Sequence, residues 1–262
     1  MDIIHIDSLD VEGLAPYARL TEAQLLNRLH PEEGLFICES EKVIRVALEA
    51  SMEPVSFLAE EKFVESQVRR LAGDGVPVYC GAREVLAQLT GYELSRGVLC
   101  AMRRPKLPTV AEICSGARRV AVVDSVVNSE NIGAIFRAAA SLGMDALLLT
   151  PTCCDPLNRR ACRVSMGTVF QIPWTFLPNY DELRKLGFAT VALALTDRSL
   201  PIDAPELKRA ERLAIIMGNE GNGLSDSVIN RCDYVARIPM HRGVDSLNVA
   251  AAAAVAFYEI SR

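Results

Sequence analysis

Several features that mark common protein classes are missing from this sequence of 262 residues. No apolar run reaches the roughly 18 residues that a membrane-spanning helix needs. The acidic N-terminus lacks the basic segment that opens a secretory signal. The eight cysteines form no CxxC pair, so their spacing predicts no metal site. These absences predict a cytoplasmic protein with reduced thiols, no membrane association and no metal.

An excess of positive charge is also missing, because the formal net charge is −5. A protein that coats nucleic acid by bulk attraction is therefore not expected. The acidic excess lies within residues 1–106, whereas residues 107–262 are neutral and take most of their positive charge from arginine. The planar guanidinium suits phosphate and carboxylate, so the arginine bias indicates oriented contacts with anions.

The sequence predicts two α/β domains, residues 1–106 and residues 107–262. Two prolines and three cations within residues 103–108 are typical of an extended linker. Apolar runs alternate with helical patterns on both sides of it, which favours a mainly parallel sheet with helices on both faces in the second domain. The strands predicted there are Arg119–Val123, Ala146–Thr150, Val169–Ile172, Ala189–Leu195, Leu213–Met217 and Tyr234–Ile238, followed by a closing helix at Val249–Ile260.

The first segment that suggests chemistry is NIGAIFR, residues 131–137, which follows a predicted strand and a polar loop. In the simplest interpretation Asn131 caps a helix and Arg137 is solvated. In the functional interpretation Gly133 lets a ligand approach the first helical turn, while Arg137 binds a phosphate. The segment alone leaves both open.

The second segment is GNEGNGLS, residues 218–225, which leaves a predicted strand and enters a helix. Its glycines allow close approach of a ligand to the backbone, although a tight turn would also use them. An NAD-type oxidoreductase is an alternative. The GxxGxG spacing is the reverse of the dinucleotide fingerprint, however, and Glu220 fits badly beside a pyrophosphate.

The third segment combines IPM, residues 238–240, with SLNVA, residues 246–250. Asp245 or Ser246 would serve as an ordinary helix cap. Ser246 and Asn248 also flank Leu247 and so offer two hydrogen-bonding groups at a helix start. All three segments follow predicted strands, and ligands bind at the carboxyl edge of a parallel sheet.

Together the three segments resemble the motifs of the SpoU/TrmH family of RNA ribose 2′-O-methyltransferases, within the SPOUT superfamily, over roughly residues 120–260. The resemblance implies a deep C-terminal trefoil knot, a homodimer formed by the knotted domain, and S-adenosylmethionine as cofactor. It also implies methyl transfer to a ribose 2′-hydroxyl, with ribosomal RNA as the first candidate substrate and transfer RNA as the second. Residues 1–106 resemble the family's smaller substrate-binding domain.

The resemblance also implies roles for individual residues. The family's catalytic residues match Asn131, Arg137, Glu220, Ser246 and Asn248. The family's cofactor-binding residues match Leu195, Thr196, Gly218, Ile238, Met240 and Leu247. Glu220 is expected to hold Arg137 or a backbone loop.

A basic cluster, Arg159, Arg160 and Arg163, is expected to face RNA or the dimer partner, with a solvated charge run as the alternative. A non-catalytic RNA- or ribosome-binding relative is a further alternative. Such a protein should have lost Asn131, Arg137 or Asn248, and all three are present.

Overall fold

The structure is a computed structural model that describes residues 1–90 and 97–262. In chain order, strands β1 to β12 are Asp2–His5, Leu35–Glu39, Pro54–Glu60, Pro77–Gly81, Val98–Arg103, Arg119–Val123, Ala146–Leu149, Trp174–Phe176, Ala189–Leu193, Leu200–Pro201, Leu213–Met217 and Tyr234–Arg237. Helices α1 to α12 are Ala15–Ala18, Glu22–Leu26, Glu41–Glu49, Glu61–Val64, Arg83–Thr90, Val110–Ile113, Ser129–Ser141, Arg159–Val164, Asp181–Lys185, Pro205–Arg209, Asp226–Ile229 and Val249–Ile260. Short 3₁₀ helices lie at Glu12–Leu14, Pro31–Glu33, Val68–Arg70 and Thr168–Phe170.

The chain divides into two compact units. Unit 1 comprises Met1–Lys106 and Leu157–Phe170, and unit 2 comprises Leu107–Pro156 and Gln171–Arg262. The first change of unit falls inside the proline-containing segment at residues 103–108. The sequence assigned residues 157–170 to the second domain, whereas by packing they group with unit 1.

Unit 1 is built on a mixed five-stranded sheet in the order β1-β4-β3-β5-β2. Strand β5 runs antiparallel to both of its neighbours, while β1, β4 and β3 are parallel. Helix α8 packs beside β2, and the ring of Phe170 lies 5.6 Å from that of Phe36. The segment at residues 157–170 thus supplies part of the unit's apolar interior.

Unit 2 is built on a seven-stranded sheet in the order β10-β12-β9-β11-β6-β7-β8, and every recorded pairing in it is parallel. Val120 and Val122 on β6 pack into one apolar cluster, and Ala121 and Val123, which point to the opposite face, are also fully buried. Burial on both faces is what crossover helices impose on a parallel sheet. The predicted parallel α/β architecture is confirmed, and the knot stays a prediction.

One strand predicted within the second domain is wrong. Of the residues predicted as a strand at Val169–Ile172, the first two end a 3₁₀ helix, Thr168–Phe170, and the strand begins later, at Trp174. Met166 and Gly167 both have positive φ, and the N–H of Phe170 donates to the carbonyl of Gly167 at 3.0 Å, so the chain turns here rather than extending. Val169 is nevertheless buried. The run was apolar because it belongs to a core, and a short apolar run does not identify its own secondary structure.

Ser40, which precedes α3, has φ 86° and ψ 144°, a backbone conformation that suits glycine. Its hydroxyl is buried, and within residues 1–90 and 97–262 it has no hydrogen-bond partner. We expect Ser40→Gly to raise the free energy of unfolding by about 1 kcal/mol, because the substitution removes the cost of a positive φ at serine and the cost of a buried, unpaired hydroxyl. Urea unfolding measures the change. Ser40→Ala is the control, since it removes the hydroxyl but keeps the Cβ, and it should stabilise less than glycine.

Candidate active site

A cavity of about 620 Å³ opens at the carboxyl ends of β9, β11 and β12 in unit 2. Its wall is formed by residues 193–195 after β9, residues 217–224 after β11, residues 237–240 after β12, and residues 244–247 with Val249 and Ala252 at the start of α12. A volume of this size lies in the range of small-molecule sites. The edge of the sheet at which the three motifs were expected to meet therefore carries a ligand-sized cavity.

The glycine loop forms one wall of this cavity through close backbone contact. A Cβ added to Gly218 would lie 2.3 Å from the carbonyl carbon of Gly223, so only glycine fits there. The side-chain oxygen of Asn219 accepts hydrogen bonds from the backbone N–H of Gly221 and of Asn222, both at 2.9 Å. These contacts hold the loop in one shape at the cavity wall.

A chain of hydrogen bonds connects the three motifs beside the cavity. The Asn131 side-chain amide donates to Glu220, and its oxygen accepts from the Asn248 amide at 3.1 Å. The oxygen of Asn248 in turn accepts from the backbone N–H of Ala250 and caps α12. The structure therefore brings together three of the five predicted catalytic residues.

Asn131 is free to make these bonds because a different residue caps its helix. The side-chain oxygen of Asn128 accepts from the N–H groups of Glu130 and Asn131, and α7 begins at Ser129. The interpretation of Asn131 as the cap is wrong, because the helix starts earlier than the apolar pattern indicated. Asn131 consequently lies inside the first turn with its side chain available.

Arg137 lies on the exposed side of α7. No hydrogen bond or ion pair is recorded for its guanidinium within the part of the chain that the structure describes. The expectation that Glu220 holds Arg137 is corrected, because the recorded partner of Glu220 is Asn131. A guanidinium group without a partner inside the protein can bind an external anion.

The predicted catalytic and cofactor-binding residues divide into those that line the cavity and those that do not. Those that line the cavity are Leu195, Gly218, Glu220, Ile238, Met240, Ser246 and Leu247. Thr196 is outside the lining, and its N–H and hydroxyl bond to the Ser199 hydroxyl instead, at 2.8 and 3.0 Å. Asn131, Arg137 and Asn248 also lie outside the lining.

The basic cluster at residues 159–163 lies in unit 1, where two of its members hold a buried carboxylate. Arg159 Nε lies 3.1 Å and Arg163 Nη1 lies 3.4 Å from the oxygens of Glu39, which is 4% exposed. A buried carboxylate is costly unless it is paired. This pairing gives Arg159 and Arg163 a role within unit 1, and contact of the cluster with RNA stays a prediction.

Sequence reasoning missed a polar network at the ends of β6 and β7. The Tyr180 hydroxyl donates to Asp124 at 2.7 Å, and the hydroxyls of Ser125 and Thr150 donate to the other carboxylate oxygen. Burial, together with the adjacent carboxylate, raises the pKa of Tyr180. The signal available in the sequence was an aspartate directly after an apolar strand. The network anchors the loop that leads into α7.

Two structural absences hold for residues 1–90 and 97–262. No helix there is long and apolar enough to cross a membrane. No group of three or more histidine, cysteine, aspartate or glutamate side chains is arranged to hold a metal ion in the same residues.

Comparison with known proteins gives consistent matches along the chain. A sequence model of the SpoU rRNA Methylase family matches residues 118–258. An uncharacterized tRNA/rRNA methyltransferase of Mycobacterium bovis is 38% identical, covering 98% of this chain and 94% of that protein. The 23S rRNA (guanosine(2553)-2′-O)-methyltransferase of Bacillus subtilis is 29% identical, covering 86% and 88%. The structure of an AdoMet-bound rRNA methyltransferase from Sinorhizobium meliloti aligns with a TM-score of 0.82 at 22% identity, covering 98% and 97% of the two chains.

Proposed function

Because the chain belongs to the SpoU family of RNA methyltransferases, we propose that it transfers a methyl group from S-adenosylmethionine to a ribose 2′-hydroxyl of a structured RNA. The observation that carries this proposal is the convergence of the three motifs on one cavity edge, with Asn131, Glu220 and Asn248 in one hydrogen-bonded chain. Ribosomal RNA is the first candidate substrate, because the Bacillus subtilis relative is named for 2′-O-methylation of 23S rRNA. Transfer RNA is the second.

The cavity in unit 2 fits S-adenosylmethionine. Its apolar wall includes Leu195, Ile238 and Leu247, and the loop at residues 218–223, which packs so tightly that a Cβ on Gly218 would collide with its own backbone, also lines it. Apolar surface with a few placed polar groups is the usual character of a cofactor site. These residues would hold the cofactor, together with Met240. When bound, it supplies a methyl group on a positively charged sulfur, which is a good leaving group.

The protein's own contribution is positioning. The amide groups of Asn131 and Asn248 are fixed by each other and by Glu220, and Ser246 lines the cavity beside them. Fixed donors beside a reacting hydroxyl lower the entropic part of the barrier. Arg137 is always protonated and is therefore a poor base, so we assign it to anchoring the RNA phosphate and orienting the ribose oxygen.

Methyl transfer to RNA tests this function directly. The full chain is incubated with radiolabelled S-adenosylmethionine and deproteinised bacterial ribosomal RNA, and then with transfer RNA. Label should enter one of these RNAs, and the modified position should resist alkaline hydrolysis because its 2′-oxygen is methylated. Binding of RNA without transfer would instead support the non-catalytic relative. Binding of NAD without S-adenosylhomocysteine binding would support the oxidoreductase.

We further propose that the protein is a cytoplasmic homodimer assembled through unit 2. Helix α12 carries an exposed stripe of Ala251, Val255 and Tyr258, of which Val255 is 38% and Tyr258 44% exposed. Small and apolar residues at this spacing form one face, which suits close packing against a second helix. The resemblance to SPOUT proteins supports the same assembly.

Sedimentation checks the dimer. The parent chain should sediment at twice the monomer mass, and Val255→Asp should shift it to the monomer, because a buried unpaired carboxylate is costly in an interface. Leu29→Asp places the same charge on an exposed apolar residue of unit 1 and should leave the mass unchanged. A monomeric parent with full methyltransferase activity would contradict the proposal.

A further inference from the structure

The segment between Met240 and Val244 contains a turn with positive φ at both central residues. Arg242 has φ 59° and Gly243 has φ 71°, and the N–H of Val244 donates to the carbonyl of His241 at 3.2 Å. Turns of this kind favour glycine, asparagine or aspartate, because most side chains are strained at positive φ. Arg242 is none of these. The turn therefore retains a residue that its own backbone disfavours.

The turn lies at the rim of the cavity in unit 2. Met240 and Val244 line the cavity on either side of the turn, whereas residues 241–243 do not. Every residue from 241 to 248 is exposed. Asp245, the acidic residue that follows Val244, also lines the cavity. Arg242 thus presents its charge to solvent beside the cavity opening.

Arginines at the opposite edge of the same sheet are used to hold the fold. Arg119, the first residue of β6, donates to the backbone carbonyls of Ile260 and Lys208 at 3.0 and 3.1 Å. Arg212, next to the start of β11, donates to the carbonyl of Ala117 at 2.9 Å. The guanidinium groups of Arg119 and Arg212 are therefore held in structural contacts, whereas Arg209 at this edge has no recorded side-chain contact among the described residues.

Two arginines at the carboxyl edge are not held in this way, although Arg198, which follows β9, donates to the carbonyl of Ile229 at 2.9 Å. The guanidinium groups of Arg237, at the end of β12, and of Arg242 have no recorded hydrogen bond or ion pair among the described residues. Arg237 also lines the cavity. In a chain of net charge −5, RNA must be met by locally gathered cations rather than by bulk charge. The strained turn keeps one such cation at the opening.

We infer that Arg242 binds a backbone phosphate of the RNA whose ribose enters the site, an inference that rests on the proposed function. A guanidinium matches the two acceptor oxygens of a phosphate, and strain that persists at an exposed position points to a role outside folding. The contact is independent of base identity, because a phosphate carries no sequence information. Arg242 would therefore contribute to affinity and register on the RNA and leave cofactor binding unchanged.

Filter binding of the full chain to deproteinised bacterial ribosomal RNA, in about 50 to 200 mM KCl, tests this role. Arg242→Asn should weaken binding about tenfold and reduce the salt dependence of log K by about 0.7 to 0.9, the value of one phosphate contact. The same variant should unfold at higher urea, because asparagine tolerates positive φ. Arg242→Lys keeps the charge and should keep the salt dependence. S-adenosylhomocysteine affinity should match the parent in both variants.

Arg209 provides a matched control. It is also exposed, but α10 ends at the amino edge, where the carbonyl of Lys208 accepts from Arg119. Arg209→Asn should bind RNA with the parent's affinity and salt dependence. If the parent binds RNA and Arg242→Asn matches it in both measures, the role of Arg242 is wrong and the proposed function stands. If the parent binds neither RNA nor S-adenosylhomocysteine, the proposed function itself fails, and this role with it.

Discussion

Replacing Arg137 with alanine is expected to lower the rate of RNA methylation by about 10²-fold or more, the cost typical of removing a fixed electrostatic donor. Arg137 lies on the exposed side of α7 six residues after Asn131, and the structure records no partner for it among the described residues. Its loss should therefore leave the fold intact. Single-turnover methylation measures the rate, and calorimetry with S-adenosylhomocysteine should give the parent's affinity.

Two further variants define what Arg137 does. Arg137→Lys should recover little of the rate, because an ammonium group cannot reproduce the two-pronged geometry of a guanidinium. Arg209→Ala, at the opposite edge of the sheet, should methylate at the parent rate. If Arg137→Ala keeps the parent rate, or if its main defect is weaker cofactor binding, the assigned role is wrong.

Replacing Gly218 with alanine is expected to reduce the affinity for S-adenosylhomocysteine by about 100-fold or more. The added Cβ would lie 2.3 Å from the carbonyl carbon of Gly223 and 2.5 Å from the backbone nitrogen of Leu224. Backbone atoms cannot rotate away as a side chain can, so the loop must shift. A shift of about 1 Å in a positioning element is enough for an effect of this size.

Gly221 is the matched control in the same loop. A Cβ there would meet only the Asn219 side-chain oxygen, at 3.5 Å, which is ordinary contact. Gly221→Ala should therefore bind within about threefold of the parent, a difference below 1 kcal/mol. Calorimetry measures the affinity of both variants for S-adenosylhomocysteine, and urea unfolding shows that each variant is folded. Equal affinities for Gly218→Ala and the parent would show that the glycine loop does not form the cofactor wall.

Prediction from the sequence was most accurate for elements whose residue pattern is typical of a single type of secondary structure. The closing helix was predicted at Val249–Ile260 from its alanine-rich run and occurs there, but its cap is Asn248 rather than the expected Asp245 or Ser246. Strands Arg119–Val123 and Leu213–Met217 also match, since continuous apolar runs are typical of strands buried on both faces. The motifs were predicted to lie at the carboxyl edge, and parallel pairing of their strands brings them there.

Other features depend on contacts that no local pattern contains. Whether Asn128 or Asn131 caps α7 depends on where the helix starts, and both are good caps. That Glu220 meets Asn131 rather than Arg137 follows from tertiary geometry across 89 residues of sequence. Thr196 does not line the cavity and its N–H donates to the Ser199 hydroxyl, so its assignment to the cofactor stays a prediction. The burial of Glu39 between Arg159 and Arg163 gave no local signal at all.

The membership of residues 157–170 in unit 1 has a consequence for biosynthesis. A nascent chain that ends at Lys106 lacks the aromatic ring that packs against Phe36 and the cations that neutralise Glu39. The first unit therefore remains unfinished while the ribosome adds 64 more residues, from 106 to 170, which takes roughly 3 to 13 s at typical elongation rates. During that interval the earliest residues of the other unit are already emerging. Unit 1 is thus completed only after synthesis of unit 2 has begun, and cutting the gene at the linker would leave the first fragment with an exposed apolar face and an unpaired acid.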